Sequence, residues 1–236
     1  MTLYIKMKTI QSQFDYITDI SIGYWKSQAL ITAVELEIFT HLRKGWKSAA
    51  SISKLIKTDK RATEILLDAM VSMKFLEKNG SVFKNSPISD CFLVEGLPYY
   101  QGNRIRLAKN LWNNWSNLGR AIQTGKPVAF DSACKKADPE RLNVFISAMR
   151  DFAVIKSKQV AKIIDLSGRK RLLDLGGGPG SYAIEFAKAN PELHAEVFDL
   201  NDVTKITKRF IKEAGMEKRV KIKSGECIND DYGKKE

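Results

Sequence analysis

The stretch Leu172–Phe186, LLDLGGGPGSYAIEF, decides the fold of the second part of this chain. A short apolar run ends near Asp174, four glycines follow between positions 176 and 180, and a helical pattern begins at Ser181. A glycine-rich turn between a strand and a helix lets a ligand approach the main chain and presents helix N–H groups. Because four glycines this close together lose much conformational entropy on folding, the stretch predicts a ligand-binding turn rather than a plain structural one.

The acids on either side of the turn distinguish two ligand classes. A dinucleotide fingerprint GxGxxG, started at Gly176, would need a last glycine where the chain has Ser181. Asp174 precedes the first glycine by two residues, and an anion there repels a pyrophosphate but suits the cationic aminoacyl end of S-adenosylmethionine. Asp199 ends the next apolar run, where a carboxylate can accept both ribose hydroxyls. The pair therefore favours S-adenosylmethionine.

The residues around this turn predict alternating strands and helices. RLLDL, AEVFDL and RVKIKS read as buried strands, and helical segments lie between them, the second over Asp202–Gly215. A β-α-β-α-β run predicts parallel strands with right-handed crossovers. Residues 169–236 are therefore predicted to form a Rossmann-like domain with about three parallel strands.

The preceding residues have a different pattern. A helix is predicted from Met1 to about Ser27, with Ile10, Phe14 and Ile17 on one face, and further helices follow. Asn79-Gly80 then lies between two short extended segments, a strong two-residue hairpin signal. Helices followed by a hairpin predict a winged-helix unit, so residues 1–95 are interpreted as a winged-helix domain and residues 96–168 as a helical connector.

Composition limits the classes of protein that the chain can represent. It has 236 residues, of which 44% are hydrophobic and 28% charged, as in a folded globular protein. No apolar run predicts a membrane span or a signal peptide, and three distant cysteines fit neither a disulfide framework nor a metal site, so a cytoplasmic protein without a metal is expected.

Residues 1–168 hold 25 basic and 15 acidic side chains, a net +10 of the total +12. Because these charges are scattered, a solvated surface is the favoured interpretation, and nucleic acid is not expected as a partner.

From about Ser27 onward the chain resembles the S-adenosylmethionine-dependent O-methyltransferases that carry an N-terminal winged-helix dimerisation domain. The segments that carry the likeness are ALITAVELEIFTHL, the Asn79-Gly80 wing, WSNLGRAIQTGKP, FISAMRDFA and, most specifically, LLDLGGGPGSYAIEFAKANPELHAEVFDL. The family includes caffeic-acid, hydroxyindole and bacterial polyketide enzymes. The resemblance implies a class I methyltransferase domain, S-adenosylmethionine as cofactor, a small hydroxylated and aromatic substrate, and a homodimer formed through the N-terminal helices.

The resemblance also assigns roles to individual residues. In addition to Asp174, the resemblance implies as cofactor-binding positions Gly176, Gly178, Gly180, Asp199, Leu200 and Glu226. Glu226 replaces the aspartate that is usual in the family. Phe145 and Met149 of FISAM match positions that line the substrate and cofactor cleft, and core packing of an interior helix is an equally good interpretation of both.

The catalytic histidine that the family places after its fourth strand has no counterpart in this sequence. His41 lies in an N-terminal helix and His194 precedes the second strand, so no catalytic residue is assigned. The strand at Leu172, central in the family sheet, is expected to have an unpaired edge. The chain is accordingly expected to be a truncated, inactive form of the enzyme. The alternative from another class is a winged-helix DNA-binding regulator with a ligand-sensing domain, motivated by the basic first part and by Lys60 and Arg61 at a helix start.

Overall fold

The computed structural model describes residues 9–127, 138–228 and 230, and the chain divides into two compact units, Met1–Glu95 and Gly96–Glu236. The first eight residues of the predicted N-terminal helix lie outside the described residues. In the described part of the chain, no helix combines the length and the apolar character needed to cross a membrane.

The first unit is a set of helices closed by a small antiparallel sheet. Its elements are α1 (Ile10–Glu35), α2 (Ile38–Leu42), β1 (Lys47–Ser48), α3 (Ala49–Ile56), α4 (Lys60–Ser72), β2 (Leu76–Asn79), β3 (Val82–Asn85) and α5 (Pro87–Phe92). The sheet has the order β1-β3-β2, and the turn between β2 and β3 falls at Gly80, whose φ of 56° suits glycine. The predicted winged-helix arrangement is confirmed.

The predicted break near Ser27 is wrong. One continuous helix, α1, runs through this position and ends at Glu35, and the chain turns at Glu37, which adopts a left-handed φ of 53°. Neither glycine nor proline stands near Ser27 to end a helix, and good helix formers such as Ala29 and Leu30 follow it. In α4, Thr63, Leu67 and Met70 are buried, whereas Ile65 is exposed.

In its described residues, the second unit combines five helices with a three-stranded parallel sheet. Its elements are α6 (Gly102–Ser116), α7 (Leu118–Thr124), α8 (Pro139–Ile163), β4 (Arg171–Leu175), α9 (Ser181–Ala189), β5 (His194–Asp199), α10 (Asn201–Glu213) and β6 (Val220–Ser224). Asp138 caps the start of α8, since its carboxylate accepts the N–H of Glu140 at 3.0 Å. Most of the sequence between residues 96 and 168 thus forms helices α6 to α8 of this unit.

The parallel sheet has the order β4-β5-β6 and is buried mainly through its middle strand. Ala195 and Val197 of β5 lie in one apolar cluster with Ala183 and Ile184 of α9. Among the described residues, β4 pairs with β5 alone, and Leu173 and Leu175 leave much of their side chains exposed. The order and the parallel pairing of these strands confirm the predicted Rossmann-like arrangement of about three parallel strands.

Candidate functional site

The parallel pairing brings the predicted site residues to one edge of the sheet. Leu175 of β4 lies beside Phe198 of β5, and Asp199 lies beside Ser224 of β6, so all three strands end together. In an open parallel sheet, ligands bind in the crevice at the carboxyl ends of the strands. The glycine turn, Asp199, Leu200 and the residues after β6 all lie at this edge.

The glycine turn adopts a backbone that only glycine takes without strain. The φ angles of Gly176, Gly178 and Gly180 are 67°, 51° and 71°. The N–H groups of all three are already bonded within the protein, that of Gly176 to the Phe198 carbonyl, that of Gly178 to Asp199 and that of Gly180 to the Gly177 carbonyl. The turn therefore offers a ligand bare main-chain surface rather than these N–H donors, above all at Gly176, which is exposed, whereas Gly180 is buried.

Asp199 connects the end of β5 to the turn. One carboxylate oxygen accepts the N–H of Gly178 at 2.8 Å, and the other accepts the N–H of Leu200 at 2.7 Å. A carboxylate oxygen has two lone-pair directions, so each oxygen keeps one for a further donor. The half-buried Asp199 thus holds the turn in place and can still accept two hydroxyl groups.

Asp174 lies at the end of β4, against the start of α9. Its carboxylate accepts the N–H of Ala183 at 3.3 Å. Burial raises the pKa of Asp174, the Ala183 hydrogen bond lowers it, and the negative charge of Asp199 raises it again. The negative charge of Asp199 therefore disfavours ionisation of Asp174, and a positive ligand at this edge would favour it.

Gly177 is a residue of the turn that sequence reasoning did not single out. A Cβ atom at this position would lie 2.7 Å from Asp174 Cγ and 2.8 Å from Val197 Cγ1. Val197 is fully buried in β5, so it has no room to withdraw. The glycine here is required by close packing rather than by a left-handed φ.

The last two predicted cofactor positions lie at the ends of the next strands. Leu200 forms the N-cap of α10 and is partly exposed. Glu226 follows β6 and is exposed, and its backbone N–H donates to Asp230 Oδ2 at 2.7 Å. Both reach the edge that carries the glycine turn, and their contact with a ligand stays a prediction.

The two predicted substrate positions lie on α8 instead. Phe145 packs against the apolar cluster of Leu142, Ile146, Val203 and Phe210 that joins α8 to α10, and Met149 is half-buried. The contacts of Phe145 are those of a core residue, and a role in substrate binding stays a prediction for both.

The histidine in the second unit is not at the site. His194 is the first residue of β5, and Asp199 is the last, so about 17 Å of strand separates them. His41 belongs to α2 of the first unit. Within the described ranges, no group of three or more potential metal ligands comes together.

A buried carboxylate away from the turn, Asp151 of α8, joins this helix to the start of α6. It accepts the backbone N–H of Arg104 at 3.1 Å and the side-chain amide of Asn103 at 3.3 Å. Burial is the main effect and raises the pKa of Asp151 from 3.8 to about 6, although these hydrogen bonds and the charge of Arg150 oppose it. A change of pH through about 6 should therefore act on the second unit through Asp151.

Replacing Asp151 with Asn should change the pH dependence of stability. Because the folded-state pKa is raised, the folded protein holds the proton more tightly than the unfolded chain, so the stabilising contribution is present at acid pH and is lost as pH rises through about 6. The difference in unfolding free energy between wild type and Asp151→Asn should fall by about 2 kcal/mol between about pH 4.5 and about pH 7.5. Urea denaturation of both proteins measures it, and a difference that stays constant or grows with pH would contradict the assignment.

Comparison with known proteins matches two families along the chain. Residues 18–95 match the O-methyltransferase dimerisation domain, and residues 115–233 match the O-methyltransferase domain. The chain is 30% identical over 224 residues to the N,N-dimethyltransferase OxyT of Streptomyces rimosus, covering 91% of this chain and 64% of the relative. It is 30% identical over 218 residues to the 3-hydroxy-5-methyl-1-naphthoate 3-O-methyltransferase of Streptomyces sahachiroi, covering 91% of this chain and 63% of that enzyme.

A solved structure shows the same fold. The crystal structure of human N-acetylserotonin methyltransferase in complex with SAM superposes with a TM-score of 0.82 at 24% identity, over 92% of this chain and 67% of that chain. The chain spans slightly less than two thirds of the length of the two Streptomyces relatives. The family matches cover the winged-helix unit and the unit that carries the glycine turn, and the chain therefore belongs to the O-methyltransferase family, with its dimerisation domain ahead of its methyltransferase domain.

Proposed function

We propose that the glycine turn binds S-adenosylmethionine and that the protein to which these residues belong transfers its methyl group to a small hydroxylated aromatic molecule. The observation that carries the proposal is the pair of carboxylates, Asp174 and Asp199, at the ends of adjacent parallel strands beside an exposed glycine. S-adenosylmethionine bears positive charge and ribose hydroxyls, and these are the two features that such a pair complements.

The donor set fits this cofactor on two counts. Asp199 keeps one lone-pair direction on each carboxylate oxygen, enough for two ribose hydroxyls. Asp174 has a raised pKa because it is buried and lies near Asp199, so a cationic aminoacyl end would favour its ionised form. When bound, S-adenosylmethionine supplies an activated methyl group, and these residues orient it at the sheet edge.

Support for the substrate class comes from the relatives. The Streptomyces sahachiroi enzyme is named for a hydroxynaphthoate, and another relative, 29% identical, is the tetracenomycin polyketide synthesis 8-O-methyl transferase of Streptomyces glaucescens. OxyT is named an N,N-dimethyltransferase, so an acceptor nitrogen occurs among similar proteins. An oxygen acceptor is proposed because both matched families are O-methyltransferase families.

We do not assign the role of proton acceptor in this reaction to either of the two histidines in the sequence. His194 lies at the far end of β5 from the turn, and His41 belongs to the first unit. We infer that this chain by itself binds the cofactor without supplying a histidine base, and that it turns over poorly on its own.

Binding of DNA by the winged-helix unit has less support. The exposed side of α4 mixes Arg61 with Ile65 and Asp68, and Asp68 pairs with Lys78 at 2.6 Å. Such a face lacks the clustered positive charge that a phosphate backbone selects. We propose instead that this unit forms a homodimer through α1, whose first turns carry exposed apolar side chains.

Replacing Asp199 with Ala tests the proposed function. Loss of the hydrogen bonds to a charged acceptor should weaken binding of S-adenosylmethionine, or of its demethylated product, by about 1.5–3 kcal/mol in titration calorimetry. Asp202→Ala is the matched control, because Asp202 is the second residue of α10 and, in the described contacts, pairs with the exposed Lys205. Tighter binding of NAD than of S-adenosylmethionine by the wild-type chain would disprove the proposal.

A further inference from the structure

Thr207 of α10 makes a contact with the glycine turn that no sequence pattern indicates. Its side chain is fully buried, and its hydroxyl Oγ1 lies 2.6 Å from the carbonyl oxygen of Gly178. Its methyl group also borders the turn, since a Cβ built on Gly180 would lie 3.3 Å from Thr207 Cγ2. The threonine therefore contacts the turn with both branches of its side chain.

The hydroxyl proton of Thr207 has two acceptors within reach. The second is the carbonyl of Val203, at 3.0 Å and one turn earlier in the same helix. A hydroxyl has one proton to donate, and the Val203 carbonyl already accepts the backbone N–H four residues later in the helical ladder. The Thr207 hydroxyl is accordingly assigned as donating its proton to the Gly178 carbonyl, the shorter of the two contacts.

Gly178 is thus held from both sides. Asp199 accepts its N–H at 2.8 Å and Thr207 donates to its carbonyl at 2.6 Å. Gly178 has a left-handed φ of 51°, and a glycine without such contacts moves freely between left- and right-handed conformations. If the carbonyl contact is lost, the Gly178 peptide can rotate, and the orientation of the Asp199 carboxylate is lost with it.

We propose that Thr207 is a positioning residue for the cofactor site, fixing Gly178 so that the turn and the Asp199 carboxylate are arranged before the ligand binds. The proposal rests on the proposed function, because the ligand is taken to be S-adenosylmethionine. Thr207 touches no ligand itself and acts through Gly178.

Three substitutions separate positioning from simple packing. Thr207→Val keeps the shape and removes the donor, and Thr207→Ser keeps the donor and removes the methyl group. Thr63→Val is the matched control, because Thr63 is a buried threonine of the first unit whose hydroxyl lies 2.7 Å from that of Thr58. Each variant is titrated with S-adenosylhomocysteine by calorimetry, and its stability is measured in urea.

Thr207→Val should weaken binding about tenfold, Thr207→Ser should bind within about threefold of wild type, and Thr63→Val should lose stability without losing affinity. Equal affinity of wild type and Thr207→Val, or equal losses in the Val and Ser variants, would overturn the proposal. Amide hydrogen exchange of the Gly178 N–H provides a test without ligand, because Thr207→Val should speed it about tenfold and Thr63→Val should not. Absence of binding by the wild type would therefore refute the proposed function alone, whereas unchanged Gly178 exchange in Thr207→Val would refute the role of Thr207.

Discussion

The Gly177→Ala variant is expected to lose about 1–3 kcal/mol of unfolding free energy and at least about tenfold in affinity for S-adenosylmethionine. The added Cβ atom would lie 2.7 Å from Asp174 Cγ and 2.8 Å from Val197 Cγ1, closer than non-bonded carbon atoms approach. Val197 is fully buried in the middle strand, so Asp174 has to move. Its movement breaks the hydrogen bond to Ala183 and shifts the carboxylate proposed to face the cationic end of the ligand.

Gly119→Ala is the control for this prediction. Gly119 lies in α7, has no left-handed φ, and a Cβ built on it would have no atom within 4 Å. Alanine at a helical site without a clash is neutral or stabilising by about 0.5–1 kcal/mol. Urea denaturation and calorimetry on both variants give the comparison. If Gly177→Ala behaves like Gly119→Ala in both measurements, the close packing described at the turn is wrong.

The contrast between Gly176 and Gly177 shows what a glycine motif does and does not reveal. The sequence predicts a bare turn after a strand, and the structure places an exposed, left-handed Gly176 there. The need for glycine at 177 comes both from Asp174, three residues earlier, and from Val197, twenty residues later on β5. A local motif carries no information about that neighbour, because the strands are paired by the whole sheet.

The ends of strands were the most predictable part of the candidate site. Apolar runs ending in Asp174 and Asp199 predicted two carboxylates at one sheet edge, and parallel pairing brings both there. Thr207 was not predictable, since it occupies an ordinary helical position and its role depends on how α10 lies against the turn. The sequence also did not predict that the glycine N–H groups are hydrogen-bonded within the protein. Two of their acceptors belong to Phe198 and Asp199, which lie on another strand.

The type and order of the secondary-structure elements could be predicted better than the residues at which they begin and end. Periodicity and the Asn79-Gly80 hairpin predicted the winged-helix unit, and alternation of strands and helices predicted the parallel sheet. The break expected near Ser27 failed because spacing alone does not show whether two amphipathic segments are one helix. Helix α1 instead ends at Glu35, just before Glu37 reverses the chain in a left-handed conformation.

Replacing two apolar residues of α1 is expected to dissociate a dimer of this chain. All the buried residues of α1, Ile31, Ala33 and Val34, lie toward its C-terminal end. Earlier in the helix, Ile10, Phe14 and Ile17 expose 86%, 63% and 67% of their surface. Exposed apolar side chains repeating at three- and four-residue spacing form a stripe that a second helix can cover.

The double variant Phe14→Glu/Ile17→Glu should raise the dimer dissociation constant at least about 100-fold. Burying one large apolar side chain contributes about 1.5–3 kcal/mol, and a twofold interface buries each of the two positions twice. A 100-fold change corresponds to about 2.7 kcal/mol, so it is reached even if much of each side chain remains exposed to water in the dimer. Sedimentation velocity over a dilution series measures the dissociation constant directly.

Lys26→Glu is the matched control for charge. It changes the net charge by two units, as the double variant does, and Lys26 lies on α1 about half a helical turn around the axis from Ile17. In the described part of the chain Lys26 pairs with Asp19, and this exposed ion pair should contribute little. The control should therefore remain dimeric at concentrations where the double variant is monomeric. Wild-type chain that sediments as a monomer in the concentrated samples, or a double variant as tight as Lys26→Glu, would show that the exposed stripe of α1 is not the contact between copies.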